Sequence, residues 1–238
     1  MSACGFLLAL VVVTAGSLIQ GSIGLGLGMV GAPLLMLIDA RLVPGPLLIA
    51  SLGLVLLVLR RDRHHVDLSG LGWAVGGRVV GTAAGAVAFA LLSARDLSLL
   101  FGGLVLLSVA MSLSGLRLRP MAWTLVPAGL LSGLMGTTTS IGGPPIALVY
   151  QHATGARLRA TLSSFFAIGI LLSLAALALV GRMGRLELAL GLGLLPGVFA
   201  GYRASRRSVA ILDRGYTRPA VLAVSSGAAV AIIIQSLW

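Results

Sequence analysis

"GTTTSIGGPP", residues 136–145, lies within 37 consecutive residues, 120–156, that contain no Asp, Glu, Lys or Arg. So apolar a stretch belongs in lipid, yet its three glycines, two prolines and four hydroxyls all weaken a helix. A backbone deliberately broken at this point, to hold a small anion, is the reading that reconciles the two.

The surrounding chain has the composition of a polytopic membrane protein. Its 238 residues are 58% hydrophobic and only 10% charged, too few charges to cover a soluble domain. All 17 basic residues are Arg, giving a net charge of +11. These arginines sit between apolar runs, where membrane orientation explains them and nucleic acid is not needed. Cys4 is the only cysteine, which excludes an internal disulfide and any CxxC site. The first residues, "MSACGFLLALVVVTAG", lack a positive leading region and read as a retained membrane segment.

Charge-poor runs cover approximately 3–38, 43–59, 68–94, 97–116, 120–150, 160–181, 186–202 and 219–238. The first and fifth exceed one span: Gly5 to Ile38 would form a helix of about 50 Å against a hydrocarbon thickness of about 30 Å. Arginine placement decides how they cross. If each long run goes in and returns, twelve arginines (60, 61, 63, 117, 119, 157, 159, 203, 206, 207, 214 and 218) share one side and four (41, 95, 182 and 185) the other. Single crossings would split the basic connections and violate the positive-inside rule.

The expectation is therefore an all-α polytopic membrane protein with both termini outside the cytoplasm. Two halves, 1–119 and 120–238, form one integral membrane domain. Each is a Gly/Pro-broken helical hairpin followed by three transmembrane helices. An odd number of crossings per half makes the second half an inverted copy of the first. A shift of 112 residues superposes Gly21, Gly24, Gly31 and Pro33 on Gly133, Gly136, Gly143 and Pro145. Inverted repeats with interrupted helices are the plan of many secondary transporters, and the interruptions mark their binding sites.

Unwound backbone survives at that depth only inside the protein or facing a water-filled cavity. Residues 20–35 and 132–150 are thus the cavity candidates. Free N–H groups at a half-helix start offer an anion seat, and Thr137, Thr138, Thr139 and Ser140 are expected to add hydroxyl donors. Arg78 is the one charge well inside a span and is expected to face the same anion. Gly77, Gly81 and Gly85 read as a close-packing stripe. Gln20, Gln151, His152 and Gln235 read as interfacial anchors. Asp39, Asp96 and Glu187 fall near span boundaries and Asp62, Asp67 and Asp213 in basic loops, so no deep carboxylate offers a proton relay.

Gly26, Gly28 and Gly31 spell GxGxxG, but without a strand before it or an acidic residue beyond, so nucleotide binding is not expected. A chain without lysine has no Walker A, and no HExxH or GxSxG is present. No enzyme, cofactor or metal site is expected.

At this point "GSIGLGLGMVGAPLL" (21–35) and "GLLSGLMGTTTSIGGPPIALVYQ" (129–151) resemble the paired glycine-rich segments of the TauE/SafE family. The resemblance implies a multi-pass inner-membrane permease for small anions such as sulfite, sulfonates or sulfoacetate-like compounds. It also implies a pathway lined by Gly24, Gly26, Gly28, Gly31 and Pro33 and by Gly136, Gly142, Gly143, Pro144 and Pro145. The role of Thr137 to Ser140 is a physical inference alone. The partners are then a small anion and the bilayer, with a homo-oligomer left open. An anion channel and a non-transporting assembly or regulatory subunit remain alternatives from the sequence.

Overall fold

Both overlong runs contain a helix break. In the first, α1 (Ala3–Ile23) ends at Gly24, and after a π-helical turn, Leu27–Gly31, the chain resumes as α2 (Ala32–Ile38). There follow α3 (Gly45–Asp62), α4 (Leu71–Leu91) and α5 (Ala94–Leu113). In the second run α6 (Ala122–Thr139) ends at Ser140 and α7 (Gly143–Tyr150) begins three residues later. The chain closes with α8 (Gly155–Leu179), α9 (Arg185–Gly193), α10 (Leu195–Leu212) and α11 (Thr217–Leu237). This computed structural model describes residues 2–116, 118–151, 153, 155–212 and 217–237, and contains no strand among them. Arg117, His152, Asp213 and Arg214 lie outside the described residues, as does the side chain of Arg218.

Five described helical stretches are long and apolar enough to cross a membrane: α1, α4, α5, α8 and the run Arg185–Arg207 across α9 and α10. With its other apolar helices, the protein is all-helical and multi-pass.

Glycine decides which helices meet. A methyl group at Gly77 would stand 2.0 Å from the Val126 carbonyl oxygen, and one at Gly81 1.9 Å from that of Leu130. On the facing helix, Gly129 meets the Ala74 carbonyl in the same way. The contact numbers rise together, so α4 and α6 run parallel with their backbones touching, as small residues permit in lipid. Gly85 meets Thr137 further along, so the stripe expected to be for packing is a packing stripe. Gly197 and Gly201 on α10 seat α1 similarly, against the carbonyls of Leu10 and Thr14. The other broad contacts pair α3 with α8 and α5 with α11.

Charges collect at the two ends of this bundle. At one end Arg159 reaches Asp62 (2.9 Å) and Arg157 reaches Asp67 (2.6 Å). At the other, Arg41, Arg182 and Glu187 share a cavity of about 300 Å³. α1 ends against the first group, since Arg61 donates to the Gly21 carbonyl (2.9 Å), whereas α2 leads into Ala40 and Arg41 of the second. Two apolar clusters fill the interior, one around Leu27, Leu35, Leu47 and Ile141, the other around Leu125, Ile146, Phe165 and Leu162.

Candidate functional site

The two breaks touch. A methyl group at Gly28 would come 2.5 Å from the carbonyl oxygen of Ser140, so only a glycine lets the first break lie against the second. Both breaks turn through a left-handed residue at the end of their leading helix, Gly24 (φ 90°) and Ser140 (φ 62°). Each donates its backbone N–H one turn back, Gly24 to Gln20 (2.7 Å) and Ser140 to Gly136 (3.0 Å). This αL cap is a usual helix stop.

The register of the breaks differs from the 112-residue superposition expected from sequence. That shift sets Pro33 on Pro145, near the start of each following helix, but it sets Gly24 on Gly136 instead of on the matching cap, Ser140. The first connection is longer because the π turn, five residues, is inserted between its cap and α2. Glycine composition could align the following helices but not reveal an extra turn.

Between the breaks lies a cavity of about 40 Å³, room for about three water molecules. Of the residues expected to form the site, Gly26, Gly28, Arg78, Gly136, Ser140, Gly142 and Gly143 line it. Gly24, Gly31, Pro33, Pro144, Pro145 and the three threonines do not. Gly24 lies beside Arg159, and Gly31 packs on Leu27 and Leu47. Pro33 is buried in the first turn of α2, and Pro144 faces a neighbouring, mostly apolar cavity of about 240 Å³. Pro144 and Pro145 carry no N–H, which leaves Gly142 and Gly143 as the donors at the start of α7.

The threonine hydroxyls are engaged within the protein. Thr138 donates to the Leu134 carbonyl (2.7 Å) and Thr139 to that of Met135 (2.7 Å). Thr139 also accepts the N–H of Ile141 (3.1 Å), which lies inside the break. Thr137 pairs with Ser173 (2.8 Å), and Ser140 donates to the Pro44 carbonyl (3.1 Å). These hydroxyls satisfy helix ends and backbone, as Ser and Thr do wherever a helix stops.

Arg78 is 1% exposed, on α4. Three glycines make its slot: a methyl group would stand 1.7 Å from Nε at Gly169, 2.8 Å from Nη2 at Gly136 and 2.9 Å from Nη1 at Gly142. Nη1 donates to Ser132 Oγ (2.6 Å), and Ser132 in turn donates to the Gly142 carbonyl. The guanidinium also stacks over Phe165, 5.0 Å from the ring centroid, a favourable cation–π contact. Nε has no hydrogen-bond partner among the described residues. None of the ion pairs among the described residues includes Arg78, and no Asp or Glu lines the cavity. A buried cation with neither carboxylate nor full hydrogen bonding is costly; an anion in the cavity would relieve that cost.

Gln20 corrects the expectation of an interfacial anchor. It is 8% exposed and lines the cavity, and its Oε1 accepts the N–H of Leu27 across the first break (3.0 Å). The freed backbone donor there needs an acceptor, and a buried glutamine supplies it. Gln151 and Gln235 are exposed near helix ends. Ser51, Ser132, Gly169 and Phe166 also belong to the site or its walls and carry no mark in the sequence, each being an ordinary residue inside an apolar run.

Beneath the first break the last carbonyls of α1 are met by cations. Arg61 donates to Gly21 as above and Arg159 to Ser22 (3.4 Å), while Asp62 holds both arginines. Positive charge at a helix C-terminus complements its dipole.

No curated protein and no solved structure matches the chain. A family model described as Sulfite exporter TauE/SafE matches residues 8–232. That is nearly the whole chain, including both breaks, Arg78 and all or most of each helix long enough to span a membrane, and it agrees with the all-helical multi-pass architecture. The protein belongs to the TauE/SafE sulfite exporter family, which points to a membrane transporter of sulfite or organosulfur anions.

Proposed function

We propose that this protein is a secondary transporter, a permease, that carries a small anion, sulfite or a sulfonate, across the bacterial inner membrane and binds it between the two helix breaks. The observation that carries the reading is Arg78: a buried guanidinium without a carboxylate, beside a cavity that two breaks create. Such a cation is by default functional, and binding sites at paired helix interruptions are a transporter plan.

The halves 1–119 and 120–238 are inverted copies in this reading. The packing pattern supports it: α1 of the first half runs beside α10 of the second, and α6 of the second beside α4 of the first. The two remaining broad contacts, α3 with α8 and α5 with α11, each join equivalent helices of the two halves. Each half then contributes one broken hairpin, and the arginine-rich end faces the cytoplasm, with both termini outside. Outward transport is the favoured direction. A monovalent anion leaving a negative interior gains about 2.3 kcal/mol per 100 mV, and no acidic residue among the described ones lines the cavity to couple a proton.

The test is flux in proteoliposomes loaded with sulfite, sulfoacetate, sulfate or lactate, comparing the wild-type protein with Arg78→Leu. Flux of sulfite or sulfoacetate above empty vesicles, lost in the variant, is the expected result. No flux of any anion would overturn the permease reading. It would favour a non-transporting membrane component, a role with which the inward-satisfied threonines are also compatible. Flux at ion-channel rates would favour a channel.

A further inference from the structure

We propose that Gln20 and Ser51 contact the anion directly and, together with Arg78, form a three-armed donor set that selects a three-oxygen head over a carboxylate. This rests on the permease reading of the same cavity.

The three residues come from different helices, α1, α3 and α4, and all line the 40 Å³ cavity. Each is more than nine-tenths buried, with exposures of 8% for Gln20, 7% for Ser51 and 1% for Arg78. In Gln20 the amide orientation is fixed by chemistry: Oε1 accepts the Leu27 N–H, so the two N–H donors are on the other atom. That Nε2 has no partner among the described residues.

Ser51 shares with Ser17, another buried helix serine, a hydroxyl without a partner among the described residues, whereas other helix serines bond their own backbone. Ser22, Ser164 and Ser225 return their hydroxyls to the carbonyl one turn back, at 2.8, 3.0 and 2.7 Å, the ordinary resting place for a helical serine in apolar surroundings. Ser51 makes no hydrogen bond among the described residues, though the Leu47 carbonyl stands one turn before it, and unlike Ser17 it lines the cavity. Its hydroxyl is left for whatever enters the cavity. Arg78 spends Nη1 on Ser132 and keeps further N–H groups.

Two side-chain acceptors nearby are already committed. Gln20 Oε1 holds Leu27 and Ser132 Oγ holds Arg78, and no carboxylate lines the cavity. A pyramidal or tetrahedral head with three oxygens can give one to each arm. A planar carboxylate has enough lone pairs but holds them near one plane, so donors converging from three helices fit it less well, and a poorly met buried donor is where a polar site discriminates most.

The test uses the full chain in proteoliposomes and measures KM and Vmax for sulfite and for acetate in the wild type, Gln20→Glu and Ser51→Ala. Gln20→Glu keeps an acceptor for Leu27 while replacing the N–H donors by oxygen. The expected result is a KM for sulfite raised about tenfold or more in Gln20→Glu, and a sulfite-over-acetate preference lowered about tenfold in Ser51→Ala. Ser51→Ala removes one oxygen without touching either break, so it carries the test alone if Gln20→Glu fails to fold. Wild-type flux with KM and preference unchanged within about twofold would overturn the proposal while leaving the permease reading intact; water, not anion, would then satisfy these donors. Absence of wild-type flux would remove both.

Discussion

The two breaks reach the same backbone conformation by different chemistry. At the first, glycine takes the left-handed cap, a second glycine (Gly26, φ 156°) opens the chain, and a side-chain amide holds the freed N–H of Leu27. The carbonyls left over at the end of α1 are met by Arg61 and Arg159. At the second, a serine takes the cap, and hydroxyls do what the amide and the cations do at the first: Thr139 accepts Ile141 N–H, and Ser132 donates to Gly142. The difference follows position. The tip of α1 lies beside the arginine-rich connections, where charged side chains can reach it. The tip of α6 lies towards the other end, where Thr138 lines a cavity with Arg41 and Arg182, but the bonds at its break are made by hydroxyls of the local sequence. A helix can thus be interrupted in lipid wherever its orphan groups find partners, and the residue types are set by what is within reach.

If the breaks are unlike supports for one shared cation, the largest effect comes from disturbing that cation. Gly169→Ala places a methyl group where Arg78 Nε now lies, far from both breaks in sequence. It is expected to reduce anion flux by a factor of about one hundred or more, read in the proteoliposome assay; flux near wild type would separate Arg78 from the function. Next is the contact that joins the breaks. Gly28→Ala drives a methyl into the Ser140 carbonyl, with an expected cost of about 1–3 kcal/mol in detergent unfolding and at least about tenfold lower flux. A fully stable, active variant would show that the breaks need not touch.

The caps sharpen the comparison at smaller scale. Gly24→Ala forces a side chain into the left-handed region beside Arg159 and is expected to destabilise by about 1–2 kcal/mol. Ser140→Ala keeps the strain already present and loses only the hydroxyl bond to Pro44, so about 0.5–1.5 kcal/mol is expected. Equal losses, measured as unfolding midpoints in one detergent, would mean that the two caps are equivalent after all. The smallest effect is Thr138→Val. Its hydroxyl is turned to Leu134, so flux is expected to stay within about twofold; a large loss would return the threonine run to the pathway.

The location of both breaks was legible because a run too long for the bilayer must be interrupted somewhere, and glycine and proline mark where. Arg78 stood out for an equally simple reason: charge in the middle of an apolar run has no cheap resting place. The threonines misled in part because a hydroxyl in a broken helix serves backbone and ligand equally well by composition, and only the distances choose. Gln20 and Ser51 were invisible as site residues, since a polar residue near the end of an apolar helix ordinarily meets the membrane surface, and a helical serine ordinarily bonds its own helix.

The sequence alone determined what lipid imposes: apolar helices of spanning length, their order, the arginine bias between the two ends, and the places where the backbone cannot continue as a helix. These depend on each segment's own exchange between water and hydrocarbon, a local quantity. The meeting of Gly28 with Ser140, the slot that Gly136, Gly142 and Gly169 make for one guanidinium, and the cavity beside it were decided by the tertiary structure. They require helices distant in the chain to approach at backbone contact, and which small residue faces which carbonyl is a property of packing that no single segment carries.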